Sequence, residues 1–170
     1  MKVASLTAIL GALGTGRVDY LIAGGLAVAA HGYGRVTFDL DLVLRLETAN
    51  LHAAGAALAA LGYRPVPPVT WEQFAEAETR SAWIREKGMV VLQLHSDAHA
   101  DTPIDIFAAE PFDFAVEHAR ALEADLGPGA KARFVALDTI ITMKTSAGRP
   151  KDIDDARQLR MIQERLHDHT

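Results

Sequence analysis

The chain has 170 residues, 49% of them hydrophobic and 23% charged, with a net charge of -5 and no cysteine. That composition excludes a disordered chain, a disulfide-stapled fold and a thiolate zinc site. The acidic balance argues against a surface built wholly for nucleic acid, while leaving room for a local basic patch.

Leu6, Ile9, Leu10 and Leu13 recur at i, i+3, i+4 and i+7 and predict an amphipathic helix over Ser5–Gly14. Lys2 followed by an apolar run also mimics a signal peptide, but the helical period favours a helix packed on the domain. A strand is expected at Asp19–Ala23, then a helix from Gly25 to about His31, ended by Gly32-Tyr33-Gly34. A strand at Thr37–Leu44 follows. Leu51, Ala54, Leu58 and Leu61 mark a helix from Thr48, a candidate cap, to a stop at Gly62. Tyr63–Val66 reads as a short strand, and Pro65, Pro67 and Pro68 force an extended loop after it.

Trp71–Arg80 fits a helix or an irregular lid equally well. Met89–His95 is a strand by alternation, Ser96–Thr102 a polar loop, and Ile104–Ala108 a further strand. Beyond Pro111 a helix is expected at about Asp113–Leu122, a turn at Gly127-Pro128-Gly129, and extended chain at Arg133–Ala136. Asp138 can cap a helix ending near Ala147-Gly148, and Pro150 suits the first position of a last helix to about Leu166. Strands mixed with helices, then mostly helix, give an α+β chain: a mixed sheet with flanking helices and a helical C-terminal extension. One domain over 1–170 is expected, with a core of about 1–110 and an extension of about 111–170. No apolar run approaches the ~20 residues needed to cross a bilayer, so no membrane contact and a cytoplasmic location are expected.

Chemistry concentrates between Tyr20 and Leu44. Strict alternation would put Phe38, Leu40, Leu42 and Leu44 on one strand face and Asp39, Asp41 and Val43 on the other. Asp39 and Asp41 then stand about 6.5–7 Å apart by Cα. Two such charges repel unless a cation lies between them, and their hard oxygens suit Mg²⁺. A solvated strand face with alternating acids is the bland alternative. Gly24-Gly25, just upstream, reads as a turn into a helix whose backbone N–H groups could meet a phosphate, or as a tight turn with no ligand.

The run G-G-x-A…H-G…R-x-T-x-D-x-D resembles the nucleotidyltransferase superfamily that shares its fold with DNA polymerase β. The likeness is closest to its small bacterial members: AbiE-type toxins, the minimal nucleotidyltransferases of toxin–antitoxin pairs, and the lincosamide nucleotidyltransferases. Two later blocks fit the same resemblance. Thr102-Pro103-Ile104-Asp105-Ile106-Phe107 resembles the strand that brings a third carboxylate, and Lys144…Arg149-Pro150-Lys151-Asp152 resembles the K…GRxKD segment of AbiE-like members.

The resemblance implies transfer of an NMP from an NTP to a hydroxyl acceptor, with Asp39, Asp41 and Asp105 catalytic and holding two Mg²⁺ ions, Mn²⁺ substituting. Nucleotide phosphates would meet Gly24, Gly25, Arg35 and Thr37 on one side and Lys144, Arg149 and Lys151 on the other. Many members carry serine after the glycine pair; here Leu26 leaves phosphate contact to backbone N–H groups. The acceptor (RNA or a tRNA end, a protein, or a small molecule such as an antibiotic) is open, and an antitoxin partner belongs to the toxin reading. A non-catalytic nucleotide- or partner-binding module of the same fold is the alternative.

Each assignment has a competitor. Asp97 and Asp101 lie close enough to Asp105 in sequence to replace it as ligand, though as loop acids they read more simply as solvated. Arg35 and Thr37 could be an ordinary loop arginine and a β-favouring threonine. Lys144 extends the apolar helix face of Leu137, Ile140 and Ile141, so it either snorkels to the rim or points into the cleft. Asp152 could pair with a cation, but reads first as an acid favouring a helix N-terminus. His31 reads as a helix-end residue, and Tyr63, Trp71 and Trp83 as core.

Overall fold

The structure is a computed structural model that describes residues 1–125 and 130–168. Among the described residues the chain runs α1 (Val3–Thr15), β1 (Tyr20–Ile22), α2 (Gly24–Ala30), β2 (Leu40–Leu44), α3 (Thr48–Ala59), β3 (Arg64–Pro65), α4 (Trp71–Ala75) and α5 (Ala77–Lys87). It continues through β4 (Val91–His95), β5 (Ile104–Phe107), α6 (Phe114–Ala119), β6 (Leu122–Asp125), β7 (Lys131–Phe134), α7 (Leu137–Ala147) and α8 (Pro150–His167). The turn expected at Gly127-Pro128-Gly129 lies outside the described residues.

The strands form one mixed sheet in the order β3-β4-β5-β2-β1-β7-β6. β2 runs parallel to β5 and β1 parallel to β7, while the other neighbours are antiparallel. Register aligns Leu42, Ile106 and Leu92 across three strands, and all are buried. One residue earlier the same rows hold Asp41, Asp105 and, one residue later on antiparallel β4, Gln93. One face of these strands is therefore core, and the other carries the polar groups. Leu6, Ile9, Leu10 and Leu13 all sink into the core, as the amphipathic period of α1 requires. Each such side chain contributes about 1.5–3 kcal/mol of transfer free energy. Among the described residues no helix is long and apolar enough to cross a membrane.

Local departures from the sequence reading have local causes. β2 begins at Leu40 rather than Thr37, and Phe38 is exposed instead of sharing the core face of Leu40. Upstream of Leu40 there is nothing to pair with: β1 ends at Ile22 before the chain turns into α2, and Pro103 on the other side has no N–H. Thr48 is the first helical residue rather than the cap. Trp71–Arg80 resolves into two helices, because Glu76 adopts an extended conformation between them. Thr70 and Gln73 close a capping box on α4, and buried Arg80 donates to the Phe74 carbonyl at its end.

The helix after Pro111 stops at Ala119. Leu122–Asp125 leaves it to pair with β7, where Arg133 bridges Glu123 at 2.8 Å. Cross-strand pairing thus overrides a stretch whose local propensity suits a helix. Asp138 lies inside α7, with Ala136 at the cap position. Buried Glu117 from α6 does the capping instead, accepting from the Ala136 N–H at 2.6 Å and the Thr139 hydroxyl at 2.8 Å.

Candidate active site

Parallel pairing of β2 with β5 sets Asp41 directly beside Asp105, and the bend before β2 brings in Asp39. One carboxylate oxygen from each lies within 4.8 Å of the others, and all three residues are half-buried. Three convergent carboxylates without sulfur or imidazole fit a hard divalent cation. Asp97 and Asp101, the competing candidates, face outward and pair with Arg64 and Lys2.

The polypeptide around the acids is built to admit them. Gly24 holds φ at +60°, and the Gly25 N–H donates to the Asp41 carboxylate. Gly25, one of the two glycines that the resemblance assigns to phosphate, thus also contacts Asp41. A Cβ on Gly25 would lie 2.7 Å from Thr37 Oγ1. That hydroxyl donates to Asp39 Oδ1 at 2.9 Å, so Thr37 stands behind the acid and orients it. On the outer side the Gln93 amide donates to Asp105 Oδ1 at 3.4 Å.

Burial and mutual repulsion show in the titration of Asp41 and Asp105. Asp41 is pushed up to about 6, first by burial, then by the charges of Asp39 and Asp105, against the pull of Lys144 and the Gly25 N–H. Asp105 is also raised, by burial and by Asp39, with the Gln93 hydrogen bond opposing. A cation between them would relieve this repulsion.

Cations gather on the opposite wall. Lys144 of α7 is buried, its Nζ 2.8 Å from Asp152 Oδ1 and 3.0 Å from Asp155 Oδ2. Arg35 bonds Asp155 as well, and Arg149 bonds Asp152. Burial alone would raise Asp152, but its bonds to Arg149 and Lys144 overcome this and hold it below the ordinary carboxylate range. The first-turn position of Asp152 was legible, but its main role is different: a fully buried anion joining two cations. Arg35, Lys144 and Arg149, the cations that the resemblance assigns to phosphate, are thus each paired with a carboxylate. Exposed Lys151 makes no ion pair or hydrogen bond among the described residues.

Acids and cations share one cavity of about 500 Å³, lined also by Gly24, Gly25, Val91, Phe107, Ile140 and Met143. Thr37 does not line it. A hollow of about 590 Å³ beside Arg80, Glu110 and Phe114 contains none of the three acids. Sequence reasoning missed Asp155 and Gln93. Asp155 left a signal, since Asp152, Asp155, Ala156 and Leu159 fall at i, i+3, i+4 and i+7 on the buried face of α8. His31 is a helix-end residue, as read, and its Nε2 lies 2.8 Å from the Val135 carbonyl. Tyr63 is buried and bonds the Thr102 carbonyl, and the Trp71 indole bonds the Leu51 carbonyl.

Neither a protein-family model nor a curated protein sequence matches the chain. Among solved structures it is similar to ANT(2'')-Ia in complex with adenylyl-2''-tobramycin, at 17% identity and a TM-score of 0.57 over 98% of this chain and 97% of that one. The solution structure of the antibiotic-resistance factor ANT(2'')-Ia gives 16% identity and a TM-score of 0.58, over 99% and 94%. The lincosamide antibiotic adenylyltransferase LnuA, lincomycin-bound, gives 13% identity and a TM-score of 0.50, over 86% and 88%. The chain thus shares the fold of these solved structures.

Proposed function

We propose that this chain is a divalent-metal-dependent nucleotidyltransferase that moves an NMP from an NTP to an acceptor hydroxyl. The observation that carries the reading is the confrontation, across one cavity, of three convergent carboxylates with a wall of Arg35, Lys144, Arg149 and Lys151. Asp39, Asp41 and Asp105 would hold Mg²⁺, as two ions, with Mn²⁺ able to substitute. When bound, the ions would neutralise the triphosphate and polarise the α-phosphate. Lys151 is free to meet phosphate directly. Lys144, Arg35 and Arg149 supply a positive field held in place by Asp152 and Asp155.

Asp105 takes the proton of the acceptor hydroxyl as its oxygen bonds to the α-phosphorus and the bond to pyrophosphate breaks. The remaining residues position the reactants, which is most of what phosphoryl transfer asks of a protein.

The shared fold with antibiotic adenylyltransferases favours a small-molecule acceptor. The Lys144…Arg149-Pro150-Lys151-Asp152 segment supports a second setting, an AbiE-like toxin with an antitoxin partner and an RNA or protein acceptor. Manganese titration followed by electron paramagnetic resonance tests the site itself. Wild type is expected to bind Mn²⁺, and Asp41→Asn to lose that binding. Equal Mn²⁺ binding in the two would remove the basis of the proposal.

A further inference from the structure

The cations of the cavity, Arg35, Lys144, Arg149 and Lys151, come from α7, α8 and the loop before β2, where Ile140, Met143 and Ala147 also line it. The other side is the outer face of the sheet. There Asp105 is followed by Phe107 on β5, and β4 sets Gln93 opposite Asp105 and Val91 opposite Phe107. Strand alternation puts these four side chains on one face. Val91, Phe107 and exposed Val90 line the cavity, and exposed Gln93 stands just outside that lining, tied to Asp105. The next cation along this face is Arg64, opposite His95 and tied to Asp97 at 2.8 Å.

We propose that this outer face is the acceptor subsite and takes a non-anionic, hydroxyl-bearing small molecule, with Gln93 orienting the acceptor hydroxyl against Asp105. The inference rests on the nucleotidyl-transfer reading above and adds to it the place and chemical class of the acceptor. A nucleic acid needs cations for its phosphates, and here it would meet Asp105, apolar carbon and an arginine already paired. A glycoside suits the same surface. Its ring carbons can cover Val91 and Phe107, and its hydroxyls have Gln93 to bond. The Gln93 amide spends one N–H on Asp105 and keeps its second N–H and its oxygen, a donor and an acceptor for one hydroxyl. The transfer balances: the hydroxyl oxygen bonds the α-phosphorus, pyrophosphate departs with its bridging oxygen, and the hydroxyl proton passes to Asp105.

The test offers the four α-³²P-labelled NTPs with Mg²⁺ to tobramycin, lincomycin, glucosamine and methyl glucoside, and in parallel to bulk tRNA. Label is expected on at least one of the small molecules and not on tRNA. Gln93→Leu should then raise the acceptor KM about tenfold, the loss of one hydrogen bond beside a charge, and raise the NTP KM by less, since the bond to Asp105 is long at 3.4 Å. A Gln93→Leu effect on the NTP KM alone would contradict the assignment of Gln93. Label on tRNA, or on none of the four compounds while Mg²⁺-dependent NTP binding persists, overturns the acceptor inference. Absence of that NTP binding in the wild type overturns the underlying activity instead.

Discussion

Gly24 and Asp41 compete for one space. A Cβ built on Gly24 would lie 1.7 Å from Asp41 Oδ2, and the residue already holds φ at +60°, where a side chain is strained. Gly24→Ala is therefore expected to displace the Asp41 carboxylate and to cost on the order of 1–3 kcal/mol in backbone strain. Thermal melting should show a folded, destabilised chain, and Mn²⁺ titration a loss of binding. Unchanged Mn²⁺ affinity in Gly24→Ala would mean that Asp41 is not a ligand.

Lys144 and Lys151 lie on the same wall but differ in their surroundings. Lys144 is buried between Asp152 and Asp155. Lys144→Met leaves those carboxylates short of a partner, and about 3–5 kcal/mol of stability should be lost. At roughly 2–4 °C per kcal/mol for a chain of this size, melting falls by on the order of 10 °C. Lys151→Ala should change stability by less than about 0.5 kcal/mol and weaken NTP binding. Calorimetry of both variants separates the two roles, and a Lys144→Met chain as stable as wild type would contradict the buried network.

The titration of Asp41 predicts an unusual order of stabilities. Its folded value of about 6 exceeds the ordinary 3.8, chiefly through burial. The folded, metal-free chain thus holds a proton that the unfolded chain has released between about pH 4 and 6. The contribution of the group is complete below the unfolded value and is lost as pH rises through 6. Without metal at pH 8, Asp41→Asn should be more stable than wild type by on the order of 2–3 kcal/mol, the gap narrowing toward pH 4. Mg²⁺ should stabilise wild type alone. A metal-free wild type that melts at or above Asp41→Asn at pH 8 would contradict the burial of Asp41 beside the other two acids.

Thr37 acts through Asp39. Its hydroxyl bond to Asp39 Oδ1 is that of a residue orienting a ligand, so Thr37→Val should weaken Mn²⁺ binding about tenfold with little change in melting. Equal affinity in the two chains would leave Thr37 as packing against Gly25.

Asp41 and Asp105 were legible because a strand period of two fixes neighbours locally, whereas Asp39 reaches the cluster from the bend before β2, outside that alternation. What brings Asp105 beside Asp41 is the parallel register of β2 and β5, a long-range pairing that no local pattern encodes. Gln93 was invisible for the same reason, since its importance comes from standing opposite Asp105. Phe38 misled because alternation was extended past the point where Pro103 and the end of β1 leave the chain unpaired. β6 was hidden because Leu122–Asp125 suits a helix and becomes a strand through β7. Asp152 and Asp155 were readable as the inward stripe of α8. An apolar stripe with two acids at its start points to buried cation partners, and the cations lay in plain sight at Lys144 and Arg149.

The most direct test is calorimetric titration of each NTP into wild type and Asp41→Asn, with Mg²⁺ and with EDTA. Nucleotidyl transfer predicts binding of at least one NTP that needs Mg²⁺ and is lost in Asp41→Asn. Binding of no NTP by the wild type, or binding indifferent to both EDTA and the substitution, would contradict it.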